Sequence, residues 1–393
     1  MIARISLYIA LLILLPDAYL YCRHVRRKRR ISCTKKLLWW LPSAILLVGM
    51  LPFVLEKDFL PRDTTLLNVY LFLLGCIAVP KLLVTLFSLI FLPIGRLLRT
   101  KHDYGAYFGA LIAAATLYVL CIGTFVGPKQ LTVNRITLCY DDLPPAFDGY
   151  TMVLFADTHI GTMPAQLMPR VADSIAALNA DIVLFAGDIQ NIRPEELEGW
   201  HDVFASITAP DGVYAVLGNH DYGTYIGATS QQKTVDAERE TITHVRSYGW
   251  HLLLNEHAAV SRNGDTIYIA GEENGGKPPF LDKSNIKNTL QGVPEDAFVV
   301  LMQHDPSAWR RHILSESTAQ LTLSGHTHGG QISLFGWRPT QFSYEEDCGL
   351  YEEGGRHLFV TTGLGGALAF RYNMTPEIVV ITLRNTNAKT TAQ

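Results

Sequence analysis

The sequence predicts two different structures in one chain: an all-α membrane region, followed by an α/β sandwich of two mixed β-sheets flanked by helices. One supporting observation is the charge distribution, because residues 1–130 hold 16 basic and 5 acidic side chains, whereas the rest of the 393 residues hold 17 and 31. Apolar stretches are concentrated in the same first third. After residue 150, short apolar runs alternate with amphipathic segments, which is typical of strands and helices that cover a sheet.

The composition excludes several classes of protein. Charged residues make up 18% of the chain, whereas about 25% is usual in soluble proteins. Together with a mean hydropathy of +0.16, the division into a basic, apolar first third and an acidic remainder excludes a wholly soluble enzyme, a disordered chain and a small disulfide scaffold. An acidic domain repels phosphate backbones, so nucleic acid is not expected as a partner.

Four apolar stretches are long enough to cross a membrane, which takes roughly 20 residues each: 5–22, 37–55, 66–95 and 107–127. The third stretch carries Pro80 and Lys81 near its middle. One kinked or tilted helix is the preferred interpretation, and two short re-entrant halves are the alternative. Asp17 is expected to lie near one end of its span or against another helix.

Basic residues in the short loops predict the orientation. The first loop holds Arg23, Arg26, Arg27, Lys28, Arg29, Arg30, Lys35 and Lys36, and the third holds Arg96, Arg99 and Lys101. Because basic loops stay in the cytoplasm, the amino terminus and everything after residue 128 are predicted outside. The expected location is the plasma membrane, with the basic cluster as a topology signal and the first span as an uncleaved anchor.

The predicted domains are a transmembrane region of about four helices (1–128), a connector (129–147), the α/β domain (148–385) and a polar tail (386–393).

The six cysteines form no C-x-x-C motif, which excludes a redox motif or zinc ribbon. Cys139, in the connector, and Cys348, in the α/β domain, both belong to the soluble part of the chain. An exterior location would permit a disulfide between them, and the sequence leaves open whether they pair.

The α/β domain is predicted to contain eight strands and three helices. The strands are 152–156, 182–186, 213–217, 266–270, 298–302, 321–324, 358–362 and 378–383, and the helices are 164–179, 194–207 and about 231–248. Their continuous apolar runs indicate strands that are buried on both faces.

Polar side chains follow five of these strands directly, at the edge where open α/β sheets bind ligands. They are Asp157 and His159, then Asp188, then Asn219, His220 and Asp221, then His304, and finally His326 and His328. A lone histidine at a strand end is usually a hydrogen-bonded structural residue. Here five of the 13 histidines fall in such clusters, and this many carboxylate, imidazole and amide side chains is too many for one metal ion. They suit two ions that share a carboxylate.

The series D-x-H, GD, GNHD, H and GHTH resembles the calcineurin-like metallophosphoesterase superfamily over about residues 148–385. The hydrophobic spans and the TPEIVVITL ending are similar to the membrane-anchored bacterial branch of that superfamily. One departure is visible. Many members read GDxxD, whereas here Asn191 stands in place of the second aspartate, which loses a charge without removing a ligand.

The resemblance implies a metallophosphoesterase-type sandwich and a dinuclear site of Mn, Fe or Zn type. One ion would take Asp157, His159 and His328, the other Asn219, His304 and His326, and Asp188 would bridge them. Mixed imidazole and carboxylate ligands exclude a pure calcium or magnesium cage but do not choose among transition metals.

His220 is left over from this ligand set. We predict that it donates a proton to the leaving oxygen or stabilises the phosphoryl charge, with Asp221 orienting its ring. The alternative is a structural histidine paired with Asp221.

The sequence therefore predicts a membrane-anchored, metal-dependent hydrolase of phosphomonoesters or phosphodiesters, in which activated water attacks phosphorus. Its expected partners are the bilayer and a phosphoester that tethering favours as a lipid or envelope component. The oligomeric state is left open. The alternatives are a non-catalytic metal-binding or interaction domain on a membrane anchor, and a transporter or channel regulated by its soluble domain.

Overall fold

A computed structural model describes residues 2–26, 32–55, 64–226 and 231–387. The chain divides into two compact units, Met1–Phe125 and Val126–Gln393. The basic residues at 27–30, the loop at 56–63 and most of the predicted tail, residues 388–393, lie outside the described residues.

The first unit is all α-helical. Its helices are α1 (Ile2–Leu20), which continues as a π-helical turn Tyr21–Val25, α2 (Cys33–Leu38), α3 (Leu41–Leu55), α4 (Thr64–Leu97) and α5 (Tyr104–Phe125). The described part of the chain contains four segments long and apolar enough to cross a membrane: Ile5–Val25, Cys33–Leu55, Thr64–Leu97 and Tyr104–Lys129. The prediction of an all-α membrane region is confirmed.

The long third stretch is one continuous helix, although it includes Pro80 and Pro93. It packs closely against α5, because a Cβ on Gly105 would lie 2.2 Å from the carbonyl oxygen of Phe87. Small residues four apart are a common device for close contact between membrane helices. Asp17 faces another helix, as predicted, since its Oδ1 lies 2.6 Å from Nζ of Lys81. A buried ion pair of this kind neutralises both charges inside the unit.

The second unit is built on two six-stranded sheets. The first has the strand order β1 (Thr132–Tyr140), β12 (Glu377–Asn385), β2 (Thr151–Phe155), β3 (Ile182–Phe185), β4 (Val213–Ala215) and β5 (His251–Leu252). The second has the order β10 (Gly349–Glu353), β11 (Arg356–Val360), β9 (Leu321–Ser324), β8 (Phe298–Met302), β7 (Asp265–Gly271) and β6 (Glu256–Arg262). Both sheets are mixed, because the pairs β12–β2, β10–β11 and β6–β7 are antiparallel and all other neighbours are parallel.

Helices cover this pair of sheets. They are α6 (Leu167–Leu178), α7 (His201–Ala205), α8 (Gln231–Ser247), α9 (Ile286–Thr289) and α10 (Leu314–Glu316). The alternation along β2 shows how the layers form: Met152 and Leu154 belong to the core between the sheets, and Val153 and Phe155 to the core shared with α6 and α8. The outer face of the second sheet packs against Trp309. The predicted sandwich of two mixed sheets is confirmed.

Several segments differ from the sequence-based expectation. Residues 194–207 are not one helix, because Gly199 adopts a φ of 79° and separates a 3₁₀ turn, Pro194–Leu197, from α7. Residues 129–147, predicted as a connector, contain β1, which pairs in parallel with β12. The strands β1, β6 and β10 mix polar with apolar residues and are largely exposed at sheet edges, so they lack the continuous apolar run that marks the central strands. Cys139 and Cys348 are both free thiols.

Candidate metal centre

The predicted ligands lie on the loops that directly follow β2, β3, β4, β8 and β9. Five of them have a left-handed backbone: φ is 54° at Asp157, 40° at His159, 59° at Asp188, 75° at His326 and 52° at His328. This conformation costs on the order of 1–3 kcal/mol for each residue that is not glycine, and it accumulates at functional sites. The backbone of these loops therefore orients the candidate ligand side chains at a cost in local stability.

Two glycines allow the ligand loops to approach one another. A Cβ on Gly218 would lie 2.2 Å from Oδ1 of Asp188, and a Cβ on Gly363 would lie 2.5 Å from Cβ of Asp157. Either contact is far inside van der Waals distance, so a larger residue would push the adjacent carboxylate out of place. The segment Gly363–Gly366 is thus a turn that packs against the first ligand loop.

One group of candidate ligands consists of Asp157, His159 and His328, whose donor atoms all lie within 4.8 Å of one another. Asp157 and His159 are fully buried. Nδ1 of His328 lies 4.0 Å from Oδ1 of Asp157. The structure thus brings together the three residues that the resemblance assigns to one ion.

A second group consists of Asp188, His304 and His326, with donor atoms within the same 4.8 Å. Asn219 joins this group, because its Oδ1 lies 2.7 Å from Nδ1 of His326. Both groups meet at Asp188, whose Oδ2 lies 3.4 Å from Nε2 of His159 and 3.2 Å from Nε2 of His304. This is the position that a bridging carboxylate requires.

Three buried imidazole nitrogens fit a metal site because they lack a hydrogen-bond partner among the described residues: Nε2 of His159, Nε2 of His304 and Nδ1 of His328. In two of these rings, the other nitrogen forms a hydrogen bond. Nδ1 of His159 bonds to Oδ1 of Asn191 at 3.2 Å, and Nδ1 of His304 donates to the carbonyl oxygen of Ala186 at 2.7 Å. Metal-binding histidines are oriented in this way, with one nitrogen hydrogen-bonded and the other left for the ion. The residues present therefore fit a divalent transition metal.

Burial and neighbouring charges shift the pKa values of the site. Burial, together with the charge of His220, lowers the pKa of His159 to about 3, so its ring is neutral and keeps a lone pair at pH 7. Burial alone would lower the pKa of His304, but Asp188 and Asp157 raise it to about 10. Burial raises the pKa of Asp157 to about 7. A cation bound next to this buried carboxyl would stabilise its ionised form and lower its pKa.

His220 lies at the edge of the centre. Its Nδ1 donates to the carbonyl oxygen of Asn191, its ring stacks on Tyr225 at a centroid distance of 4.2 Å, and its edge contacts His159 at 4.6 Å. A donor atom of His220 also lies within 4.8 Å of those of His159 and Asp188. Because a carbonyl oxygen only accepts, the neutral ring carries its proton on Nδ1.

The prediction that Asp221 orients the ring of His220 is wrong. The fully buried Asp221 carboxylate accepts four backbone N–H groups instead, from Gly218 at 2.9 Å, Asp188 at 2.9 Å, Ile189 at 3.0 Å and Gln190 at 3.3 Å. These amides belong to two ligand loops, and a carboxylate with two oxygens binds several of them at once. Through these hydrogen bonds Asp221 holds the two ligand loops together.

Sequence reasoning missed two aromatic residues of the site. The hydroxyl of Tyr344 lies 2.7 Å from Nε2 of His326, and the hydroxyl of Tyr225 accepts from Nδ2 of Asn219 at 2.8 Å. Tyr225 follows GNHD by only a few residues, so its proximity could have been inferred. Tyr344 lies in an irregular segment with no motif and no preceding strand, and nothing in the sequence pointed to it.

Comparisons with known proteins agree with this geometry. The family described as a probable calcineurin-like phosphoesterase transmembrane domain matches residues 3–128, and the calcineurin-like phosphoesterase superfamily domain matches residues 151–334. The chain belongs to the calcineurin-like phosphoesterase superfamily and is a metallophosphoesterase, a hydrolase of phosphoric esters. More particularly, it is a membrane protein that joins this domain to a four-helix transmembrane domain. Phosphoesterases of this kind use a dinuclear metal centre.

Three relatives illustrate the similarity. The uncharacterized metallophosphoesterase YkuE of Bacillus subtilis is 28% identical over 71% of this chain and 96% of its own length. The UDP-2,3-diacylglucosamine pyrophosphatase LpxG of Chlamydia trachomatis is 26% identical over 70% of this chain and 97% of its own. A transmembrane protein with a metallophosphoesterase domain from Danio rerio is 27% identical over 65% of this chain and 57% of its own.

Proposed function

We propose that this protein hydrolyses a phosphoester or pyrophosphate bond of an amphiphilic substrate at the membrane surface, with two metal ions at the carboxyl ends of the strands. The observation that carries the proposal is the position of Asp188, whose Oδ2 lies within 3.4 Å of one imidazole nitrogen from each ligand group. A site for a single ion has no need of this shared oxygen.

The ligand assignment is part of the proposal. Asp157, His159 and His328 would hold one ion; Asn219, His304 and His326 would hold the other; and Asp188 would bridge them. The donor distances described above support both sets. Asn191 and Tyr344 would act as positioning residues, because each binds the second nitrogen of a ligand histidine.

When bound, two such ions neutralise phosphoryl oxygens and make water a nucleophile near neutral pH. The bond that forms joins the water oxygen to phosphorus, and the bond that breaks joins phosphorus to the leaving oxygen. His220 would supply the proton that this leaving oxygen needs. In the doubly protonated ring, Nδ1–H is donated to the carbonyl of Asn191, so Nε2–H would be the proton that is transferred, and the ring would be left neutral.

The substrate class follows from the membrane anchor. Four membrane helices confine the chain to a bilayer, and confinement raises the effective concentration of any membrane-bound substrate. LpxG is a pyrophosphatase of a diacylated sugar nucleotide, a substrate with apolar chains and a phosphoanhydride. We propose a lipid-linked phosphoester or phosphoanhydride of this general chemistry here.

The basic loops support a location of the catalytic unit outside the cytoplasm. Among the described residues, Arg23, Arg26, Lys35 and Lys36 flank the first loop, and Arg96, Arg99 and Lys101 lie between the third and fourth spans. Basic loops of this length stay in the cytoplasm. An odd number of spans separates each of these loops from residue 126, so the catalytic unit would lie on the opposite side.

The test uses the full chain in lipid nanodiscs. After chelation and gel filtration, activity on p-nitrophenyl phosphate, bis-p-nitrophenyl phosphate and a lipid phosphoester is measured with added Mn, Fe or Zn. We expect no turnover by the metal-free protein, and recovery to track the binding of a second ion. A protein that carries two ions and hydrolyses none of these esters would contradict the proposal.

A further inference from the structure

The most exposed apolar side chain in the described part of the second unit lies at the tip of a short hairpin that leaves the metal centre. Leu334 and Trp337 form an antiparallel bridge, and each backbone amide donates to the carbonyl of the other at 3.0 Å. Phe335 and Gly336 form the two-residue tip, with φ of 54° and 86°. The Phe335 side chain is 108% exposed.

This tip contradicts the usual chemistry of its turn. Two-residue hairpin turns with both φ values positive favour Asn-Gly, because asparagine and glycine tolerate the left-handed region. A phenylalanine in that region is strained, and here the strain holds an aromatic ring in solvent, where it gains nothing from folding. Backbone strain that no packing contact in the folded protein offsets is typical of functional sites.

Two more aromatic side chains extend the exposed surface. Trp337 is 46% exposed, Phe342 is 81% exposed, and their ring centroids lie 5.9 Å apart. The segment 332–337 carries no charged residue. The adjacent Arg338 is neutralised by a bidentate pair with Asp347, at 2.6 and 2.8 Å. Entry into an apolar phase would therefore desolvate no unpaired charge.

The hairpin is fixed by hydrogen bonds at both of its ends, and at one end these bonds lead to the metal-site loop. On one side, the amide of Ser333 donates to the carbonyl of Tyr372 at 2.9 Å. On the other side, the guanidinium of Arg338 binds the carboxylate of Asp347. The hydroxyl of Thr327 donates to the backbone carbonyl of the same Asp347 at 2.5 Å. Thr327 lies between His326 and His328. A surface bound by the hairpin is thus held at a set position with respect to two candidate metal ligands.

We propose that this aromatic hairpin, residues 333–337 together with Phe342, docks into the headgroup and acyl boundary of the bilayer that holds the four membrane helices. Uncharged Phe and Trp side chains are the residues that favour this boundary. The chain is already anchored in a bilayer, so even a weak contact is populated at high effective concentration. The hairpin would bring the metal centre to the depth of a lipid phosphate, and in this respect the inference rests on the proposed lipid-linked substrate.

The direct test is photo-crosslinking in the full chain. Benzoylphenylalanine is incorporated at position 335, and as a control at position 235, where Val235 is 41% exposed on α8. The protein is irradiated in nanodiscs of phosphatidylethanolamine and phosphatidylglycerol and analysed by mass spectrometry. We expect lipid adducts at position 335 and none above background at position 235. Protein–protein adducts, which would indicate a second copy as the occupant, or equal lipid labelling at both positions would overturn the proposal.

A second variant tests the consequence for turnover. Phe335→Asn suits the left-handed tip and keeps the turn, whereas Phe335→Trp keeps an aromatic ring. We expect the ratio of lipid-ester to soluble-ester turnover to fall by at least about tenfold in Phe335→Asn, through KM, and to be retained in Phe335→Trp. An unchanged ratio in Phe335→Asn would contradict docking while leaving the hydrolase proposal intact. If the wild type hydrolyses no ester, the crosslink still decides whether the hairpin binds lipid.

Discussion

The carboxylate of Asp221 accepts a 2.9 Å hydrogen bond from the backbone amide of Asp188, so the residue that follows His220 holds the loop of the central candidate ligand. Three further amides converge on the same carboxylate. The GNHD motif thus supplies a ligand, a candidate acid and a buried clamp from adjacent positions.

The clamp makes Asp221→Ala a stability variant. It leaves four buried backbone N–H groups without their acceptor, and at about 1 kcal/mol each the loss is on the order of 4 kcal/mol. Thermal unfolding of the full chain measures the change, with Asp173→Ala on the exposed face of α6 as the control. A melting temperature within a degree of wild type would rule out the clamp.

His220→Ala tests the proton donor. We expect a fall of about a hundred- to ten-thousand-fold in kcat on esters with poor leaving groups, and a smaller fall on nitrophenyl esters, whose leaving oxygen needs no proton. Metal content should be retained, and His201→Ala on the surface should behave as wild type. An equal loss on both ester types would argue against general acid catalysis, and a loss of metal would make His220 a ligand.

Asn191→Ala tests whether the second nitrogen of His159 must be held. Without the Oδ1 acceptor the ring turns more freely, and removing such a partner typically weakens metal binding about 10- to 100-fold. Asn191→Asp keeps an acceptor and should restore affinity. Competition against a fluorescent chelator measures both, with Asn288→Ala on the exposed side of α9 as the surface control. If Asn191→Ala binds metal as tightly as wild type, the contact has no such role.

The orientation is tested with single cysteines in a chain whose six native cysteines are replaced. Lys287→Cys in the second unit should react with an impermeant maleimide in intact cells, because the basic loops predict an exterior catalytic unit. Lys35→Cys should react only after lysis. The reverse pattern would place the catalytic unit in the cytoplasm.

Much of this architecture was predictable because the central strands are continuous apolar runs and their polar loops follow at once. The ligand groups around Asp157 and Asp188 were found in this way. The role of Asp221 was not, since three of its four partners are backbone amides about thirty residues away, and a sequence pattern does not show which backbone amides a side chain binds. Tyr344 reaches His326 from an irregular segment, and Phe335 breaks the residue preference of its own turn, so local patterns could not reveal either.

The most direct test of the central claim, that one carboxylate joins two metal sites, is the metal content of Asp188→Asn. Wild-type protein loaded with Mn should carry two ions per chain by inductively coupled plasma mass spectrometry after gel filtration. In the variant, the amide removes the charge that both ions share, so we expect both to be lost together with activity. Two tightly bound ions in Asp188→Asn would contradict the shared centre.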